Sequence, residues 1–368
     1  MTPRMDRRRF TRSLLKLAGA PWAASAIASC EGCDDFWQAL GDTCPEDPAE
    51  SGGVDWTPDL MHPVFWGYQE LTSDDGAPTR LRIFYPTYEG FTDGPPILKL
   101  CLVRWPLVLL FHGQQPQGCN IPDYFRQFSH IAAVLARSGY VVIVPDWPAS
   151  LPSEEGVPPE LDGLADWVRT EWEHAEWVDK RPEALAVGGH SYGGLMAGRY
   201  AQAHPEVSAY ISLSAPWNEL GGGVIQNLNA PAFFMWGNGL FFEDLDVFSP
   251  NWSTVPGIKY AGVFEGEHFD FIPNQPSCGE PRGPCTLIGA AAADLAALFL
   301  ARHNPVALSN TQVPVDLVPP SAPLTPEQQF FAGGRLSGIT QMETRAGCRI
   351  ALRWEDGAVT GARDIGPG

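Results

Sequence analysis

Ala186-Val187-Gly188-Gly189-His190-Ser191-Tyr192-Gly193-Gly194 sets a serine between two pairs of glycines, after an apolar run and before a stretch of helical character. The pattern is G-x-S-x-G, and its setting is a strand (185–187) that turns into a helix (192–203). A serine hydroxyl is a weak nucleophile. It must project from a tight turn where a base can reach it, and flanking glycines let strand and helix approach closely around it. A glycine-rich turn without chemistry, or a phosphate cradle at a helix N-terminus, would use the same residues. Strand before and helix after favour Ser191 as a nucleophile.

Outward from this segment, strands alternate with helices. Residues 65–71 and 80–85 read as early strands, rich in aromatic and β-branched side chains. Residues 107–111 are wholly apolar, as expected of a parallel strand covered on both faces. Residues 125–138 carry apolar side chains at helical spacing, with Gly139 behind them as a stop. A strand at 140–144, an amphipathic helix at 161–177 and strands at 209–213, 231–236 and 258–264 follow, then an alanine-rich helix at 287–302. This alternation predicts an α/β fold with a mainly parallel central sheet and helices on both faces. The domain so read spans residues 61–303, after an acidic linker at 30–60. From 304 to 368 the chain forms a proline-rich strap and an edge segment, within which 348–354 alternates like an edge strand.

The remaining chemistry lies at strand ends. The apolar run 107–111 leads into His112-Gly113-Gln114. Here His112 reads as a structural, hydrogen-bonding histidine. The base should follow the nucleophile and the last parallel strand, where Glu265-Gly266-Glu267-His268-Phe269 stands. Of the other histidines, His174 precedes the serine within a helix, His204 ends one, and His303 lies beyond the last; His268 is the candidate. The acid should fall between strand 231–236 and His268. The loop 237–246 offers Glu243, Asp244 and Asp246; Asp244 is the choice, with Glu243 its near alternative, to hold the imidazole tautomer and stabilise the imidazolium.

The order His112-Gly113, Gly189-His190-Ser191-Tyr192-Gly193, Glu267-His268-Phe269 resembles the α/β-hydrolase esterases, and among them the branch of platelet-activating-factor acetylhydrolases, chlorophyllases and polyester-degrading cutinases. The resemblance covers roughly residues 65–302. It implies an eight-stranded sheet, ester hydrolysis through an acyl-enzyme, and an oxyanion hole made by the backbone N–H groups of Tyr192 and Gln114. The usual spacing to the acid would reach Leu240, so the acidic loop departs from the pattern, as does the tail beyond Arg302. The stretch 215–230, with Gly221-Gly222-Gly223, is too short for a folded cap. An open cleft bounded by Trp217 and Phe241-Phe242 is expected, with room for small or polymeric esters. A peptidase or acyltransferase with the same triad, or a binding protein that kept the fold, are the competing readings.

Charge narrows the partners. The 368 residues hold 24 Lys and Arg against 43 Asp and Glu. Residues 1–29 contain six of the basic side chains and one acid, leaving 18 basic against 42 acidic residues in the remainder. Such a surface excludes nucleic acid, whose binding depends on neutralising phosphates with Lys and Arg. With no His/Cys cluster at ligand spacing, neither metal nor organic cofactor is implied. The basic start and the apolar stretch 14–28 have the layout of an export signal, and Arg7-Arg8-Arg9-Phe10 resembles the twin-arginine motif. Ile27-Ala28-Ser29-Cys30 looks like a lipobox, in which Cys30 would carry a lipid anchor; cleavage after Ala24-Ser25-Ala26 or Ala26-Ile27-Ala28 is the alternative. Lipidation leaves seven other cysteines, whereas ordinary cleavage can leave eight that pair. Either route ends in a compartment that permits disulfides, such as one between Cys278 and Cys285.

Overall fold

The structure, a computed structural model, describes residues 65–87, 94–95, 97, 103–115, 121–148, 157–216, 227–237, 255–272, 288–304, 307–308, 340–343 and 349–356. The expected signal and linker, the expected cleft residues Trp217 and Phe241-Phe242, Asp244 and Glu243, and all eight cysteines lie outside the described residues.

The central strands form where apolar residues run without interruption. In chain order the strands are β1 (Phe65–Leu71), β2 (Leu81–Thr87), the two-residue β3 (Val103–Arg104), β4 (Leu107–Phe111), β5 (Val141–Pro145), β6 (Leu185–His190), β7 (Ala209–Leu213), β8 (Ala232–Gly237) and β9 (Ile258–Phe264). Then come β10 (Ala307–Leu308), β11 (Thr340–Glu343) and β12 (Arg349–Asp356). One sheet takes the order β1-β2-β5-β4-β6-β7-β8-β9-β12-β11, and β3 pairs separately with β10. Strands β4 to β9 are mutually parallel, and β1, β2, β12 and β11 are added antiparallel at the two edges. The expected α/β fold is present. Strands β1, β2 and β4 to β9 make the eight-stranded sheet that the resemblance implied, and β12 and β11 of the tail lengthen it by two.

Alternation along each strand divides the interior. Leu107, Leu109 and Phe111 of β4 face one core, shared with α2 (Leu164–Thr170) and α3 (Tyr192–Ala203). Val108 and Leu110 face the other, filled by α1 (Ser129–Arg137) and α4 (Ile288–His303). The buried alanines of α4, Ala292 and Ala296 among them, let it lie close against α1. Gly139, at φ 93°, ends α1 as the sequence suggested, because a left-handed residue there costs glycine nothing.

Two expectations need correction. Residues 161–177 do not form one helix: a turn at Pro159–Asp162 is followed by α2 and then by a 3₁₀ turn at Ala175–Trp177. Trp167, Trp172 and Trp177 explain the breaks. All three are buried, yet residues five apart on a straight helix point about 140° away from one another. Breaking the helix turns them all inward, and Trp172 then donates from Nε1 to Gln69 Oε1 at 2.9 Å. The second correction concerns the tail. The strand read at 348–354 as an edge is β12, which has β9 on one side and β11 on the other; β11 is the edge.

Crossovers carry the chain from β4 to β5 on one side and then back past β4 to β6. That reversal opens a crevice at the carboxyl ends of β4 and β6, where ligands bind in open parallel sheets.

Charge fixes the far edge. Glu70 on β1 accepts hydrogen bonds from Arg80 at 2.6 Å, Arg82 at 2.9 Å and Arg126 at 2.5 Å. Asp123 receives Arg80 and Arg126 in turn, which ties the β1–β2 hairpin to the 3₁₀ segment Tyr124–Phe128 ahead of α1. Burial alone would raise the Glu70 pKa, but the bonds from Arg126, Arg80 and Arg82 outweigh it and hold the carboxyl at about 2 rather than 4.5. A depressed carboxyl contributes stability above its unfolded pKa and loses it as pH falls toward the folded one. Glu70→Gln should therefore lower stability at neutral pH by about 1–3 kcal/mol. It should also flatten the loss of stability between pH 4.5 and about 2. Denaturant unfolding across that range checks both.

Candidate active site

The turn between β6 and α3 is built from close contacts that only glycine permits. Ser191 sits at φ 53° and ψ −125°, outside the ordinary regions for an L-residue, and its N–H donates to Leu213 O of β7 at 2.8 Å. A Cβ on Gly193 would lie 2.2 Å from Phe111 O and 2.5 Å from His112 O. One on Gly189 would meet the Gly193 carbonyl at 2.3 Å. The first turn of α3 thus rests directly on the end of β4, and Ser191 is forced out at the crossing. Its carbonyl already accepts the first helical bond, from Gly194 N–H at 2.9 Å.

The end of β4 reaches the serine. A Cβ on Gly113 would stand 2.8 Å from Ser191 Cβ, so the two backbones touch. Gln114 follows and is exposed. Tyr192 opens α3, and its N–H lies in the first turn, where a helix offers no acceptor of its own. His112 is buried and structural. Its Nδ1–H donates to Gly113 O at 2.9 Å, and Trp147 donates from its backbone N–H to His112 Nε2 and from its indole to His112 O. Desolvation lowers the His112 pKa to about 4, so the ring is neutral near pH 7 and holds the strand end in place.

His268 begins a 3₁₀ turn, His268–Phe271, directly after β9. Glu267 caps it: the Glu267 N–H donates to Asp270 Oδ2 at 2.9 Å. The turn meets the serine's neighbour, because His190 Nε2–H donates to the His268 carbonyl at 2.9 Å and the two rings lie 4.7 Å apart. The foot of the acidic loop is here too. Gly237 pairs with Phe264, and a Cβ on it would come within 2.2 Å of Gly266 O. The loop therefore leaves β8 beside the turn that carries His268, although Asp244 itself lies outside the described residues.

The structure thus brings Ser191, Tyr192, Gly113-Gln114 and the turn of His268 to one end of the sheet. It adds residues that the sequence reading passed over: His190, which occupies the variable place of the motif, and Trp147, two residues past β5. The available signal was position alone, since both fall at the carboxyl end of a strand next to β4. Among the described residues no group of three His, Cys, Asp or Glu could hold a metal ion.

A family model for the alpha/beta hydrolase fold matches residues 106–272, from the start of β4 through the turn of His268. Comparison with curated proteins returns no match. The fold is that of the alpha/beta hydrolases, and the match supports placing the chain in that superfamily as a hydrolase. Gly193→Ala should lower the stability measured by denaturant unfolding by about 1–3 kcal/mol, because the new methyl meets fixed carbonyls. Gly163→Ala, whose Cβ would meet nothing nearer than Pro159 O at 3.9 Å, should leave it unchanged or higher.

Proposed function

We propose that the protein is a serine esterase that cleaves carboxylic esters through an acyl-enzyme, with Ser191 as nucleophile and His268 as general base. The observation that carries this is the crossing at Ser191: a serine held at φ 53° above a helix N-terminus, with Gly113 against it and the turn of His268 bonded to its neighbour. A non-glycine residue held so far from ordinary geometry requires surroundings that over-determine it, and such strain gathers at functional sites.

The chemistry follows from the places of the groups. His268 takes the hydroxyl proton as Ser191 attacks the ester carbonyl. The oxygen that becomes negative is met by the N–H groups of Tyr192 and Gln114, fixed before the reaction and so without cost at its transition state. His268 returns the proton to the leaving alcohol, and a water activated by the same imidazole releases the acid. Asp244 orients the imidazole and stabilises its charged form. The open cleft expected from the short stretch 215–230 would admit bulky esters as readily as short ones.

Export belongs to the same proposal. Residues 1–29 carry the protein out as a folded chain, and Cys30 anchors it by a lipid at the bacterial cell envelope. Among the described residues no helix is long and apolar enough to cross a membrane.

Ser191→Ala should abolish fluorophosphonate labelling and lower kcat by about four orders of magnitude or more, with the fold intact. An ester and amide panel on the wild type identifies the acyl acceptor. Asp244→Asn should lower kcat by about 10³–10⁴-fold, whereas Glu243→Gln should do much less; the reverse outcome makes Glu243 the acid. Replacing Arg7 and Arg8 with lysine should trap precursor inside the cell, and Cys30→Ala should release soluble protein. Mass spectrometry of the mature N-terminus decides between lipid and ordinary cleavage.

A further inference from the structure

We infer that His190 is a positioning residue for His268: its buried imidazole donates to the His268 backbone carbonyl, so the residue beside the nucleophile fixes where the base begins. This rests on the proposed esterase reading.

His268 stands on a single 3₁₀ turn of four residues, a length that does not persist by itself in water. Its own cap, between Glu267 and Asp270, closes the turn. Two histidines from other elements reach its first and last carbonyl groups. His190, the last residue of β6, holds the first carbonyl of the turn at 2.9 Å. His130 of α1 lies with Nε2 3.0 Å from the last, that of Phe271. The ring of His190 also packs between the turn and the body, 4.7 Å from the His268 ring and 5.9 Å from Phe128.

A plain core position would take an apolar side chain. His190 is wholly buried and its Nδ1 has no hydrogen-bond partner among the described residues, a state that costs about 1–3 kcal/mol. The side-chain hydrogen bond set against that cost is the one to His268. The direction of that bond fixes the tautomer: a carbonyl only accepts, so Nε2 carries the proton and Nδ1 does not. Charging the ring is opposed by desolvation, and next by His268, with His112, just past β4, and His130 of α1 adding to it. His190 therefore stays neutral, and the direction of its hydrogen bond to the turn is fixed. Because His190 and Ser191 are adjacent in the chain, one rigid turn sets both ends of the nucleophile–base distance.

The test uses the full-length mature protein with His190→Phe, which fills the space without a donor, and His190→Gln, which restores one. Three readouts are taken: kcat and KM on a soluble short-chain ester from pH 5 to 9, the rate of fluorophosphonate labelling, and hydrogen exchange by peptide. In the phenylalanine variant, labelling and kcat should fall about 10²-fold with KM little changed. Exchange should quicken across residues 267–272 while 192–203 keep wild-type protection. Glutamine should recover rate and protection to within about five-fold, and the wild-type acid limb should show one proton. Wild-type labelling in the phenylalanine variant, equal damage in two folded variants, exchange raised evenly through the core, or a second proton in the acid limb would each overturn the inference. Should the phenylalanine variant fail to fold, the glutamine variant decides: near-wild-type rate and protection support the clamp, and a slow folded protein refutes it. If wild-type Ser191 takes no label, it is the esterase reading that fails; exchange at 267–272 then judges the clamp separately.

Discussion

The carbonyl groups of Phe111 and His112 lie where side chains at 189 and 193 would have to go, and the rest of the site depends on that crowding. With glycine at both places, the first turn of α3 settles onto the end of β4. The chain has no room to leave β6 gradually, so the direction change falls on one residue, Ser191, at positive φ. A side chain at either glycine would push α3 off the sheet and relax the serine into ordinary geometry. The same close approach brings Gly113 onto Ser191, so the serine and the end of β4 are set by one contact and not by two independent loops. The parallel pairing of β4 with β6 along its whole length makes that contact rigid.

Around this crossing the structure uses neutral histidines as buried hydrogen-bonding groups. His112, His190 and His130 are all depressed by desolvation, and each faces backbone atoms of a loop that forms the site. Imidazole suits such positions because it is flat enough to pack among Tyr124, Phe128 and Phe271, yet brings a donor and an acceptor. The loops gain directional hydrogen bonds without a buried charge, which would cost far more than it returned. The charged network around Glu70 is kept on the β1–β2 edge, where its groups remain partly in water.

How much of this was legible follows from the kind of signal each part carries. Strands β4, β7 and β9 and helix α3 were read with their true bounds, because uninterrupted apolar runs and a strong motif mark them. The helix expected at 161–177 failed because three buried tryptophans at a spacing of five demand a broken path, and periodicity over a long window averages that demand away. Strand β11 carries no apolar alternation, since its partner β12 supplies the pairing; the edge was therefore assigned one strand too early. Ser191, Gln114 and His268 were read as lying past strand ends, and the structure puts them past β6, β4 and β9. His190 was not, since a motif that leaves its middle position open says nothing about a contact 78 residues away. The acid falls in a loop whose spacing departs from the pattern, and Asp244 rests on the residues alone.

The central claim is that Ser191 carries the acyl group during turnover. Rapid-quench mass spectrometry during reaction with an activated ester tests it directly, by weighing the intact protein within the first turnovers and mapping any adduct to a peptide. The result expected is a mass increase equal to the acyl group, confined to the peptide that holds His190-Ser191-Tyr192 and absent when position 191 is alanine. Acyl group found on another residue, or ester turnover that persists with alanine at 191, would contradict it.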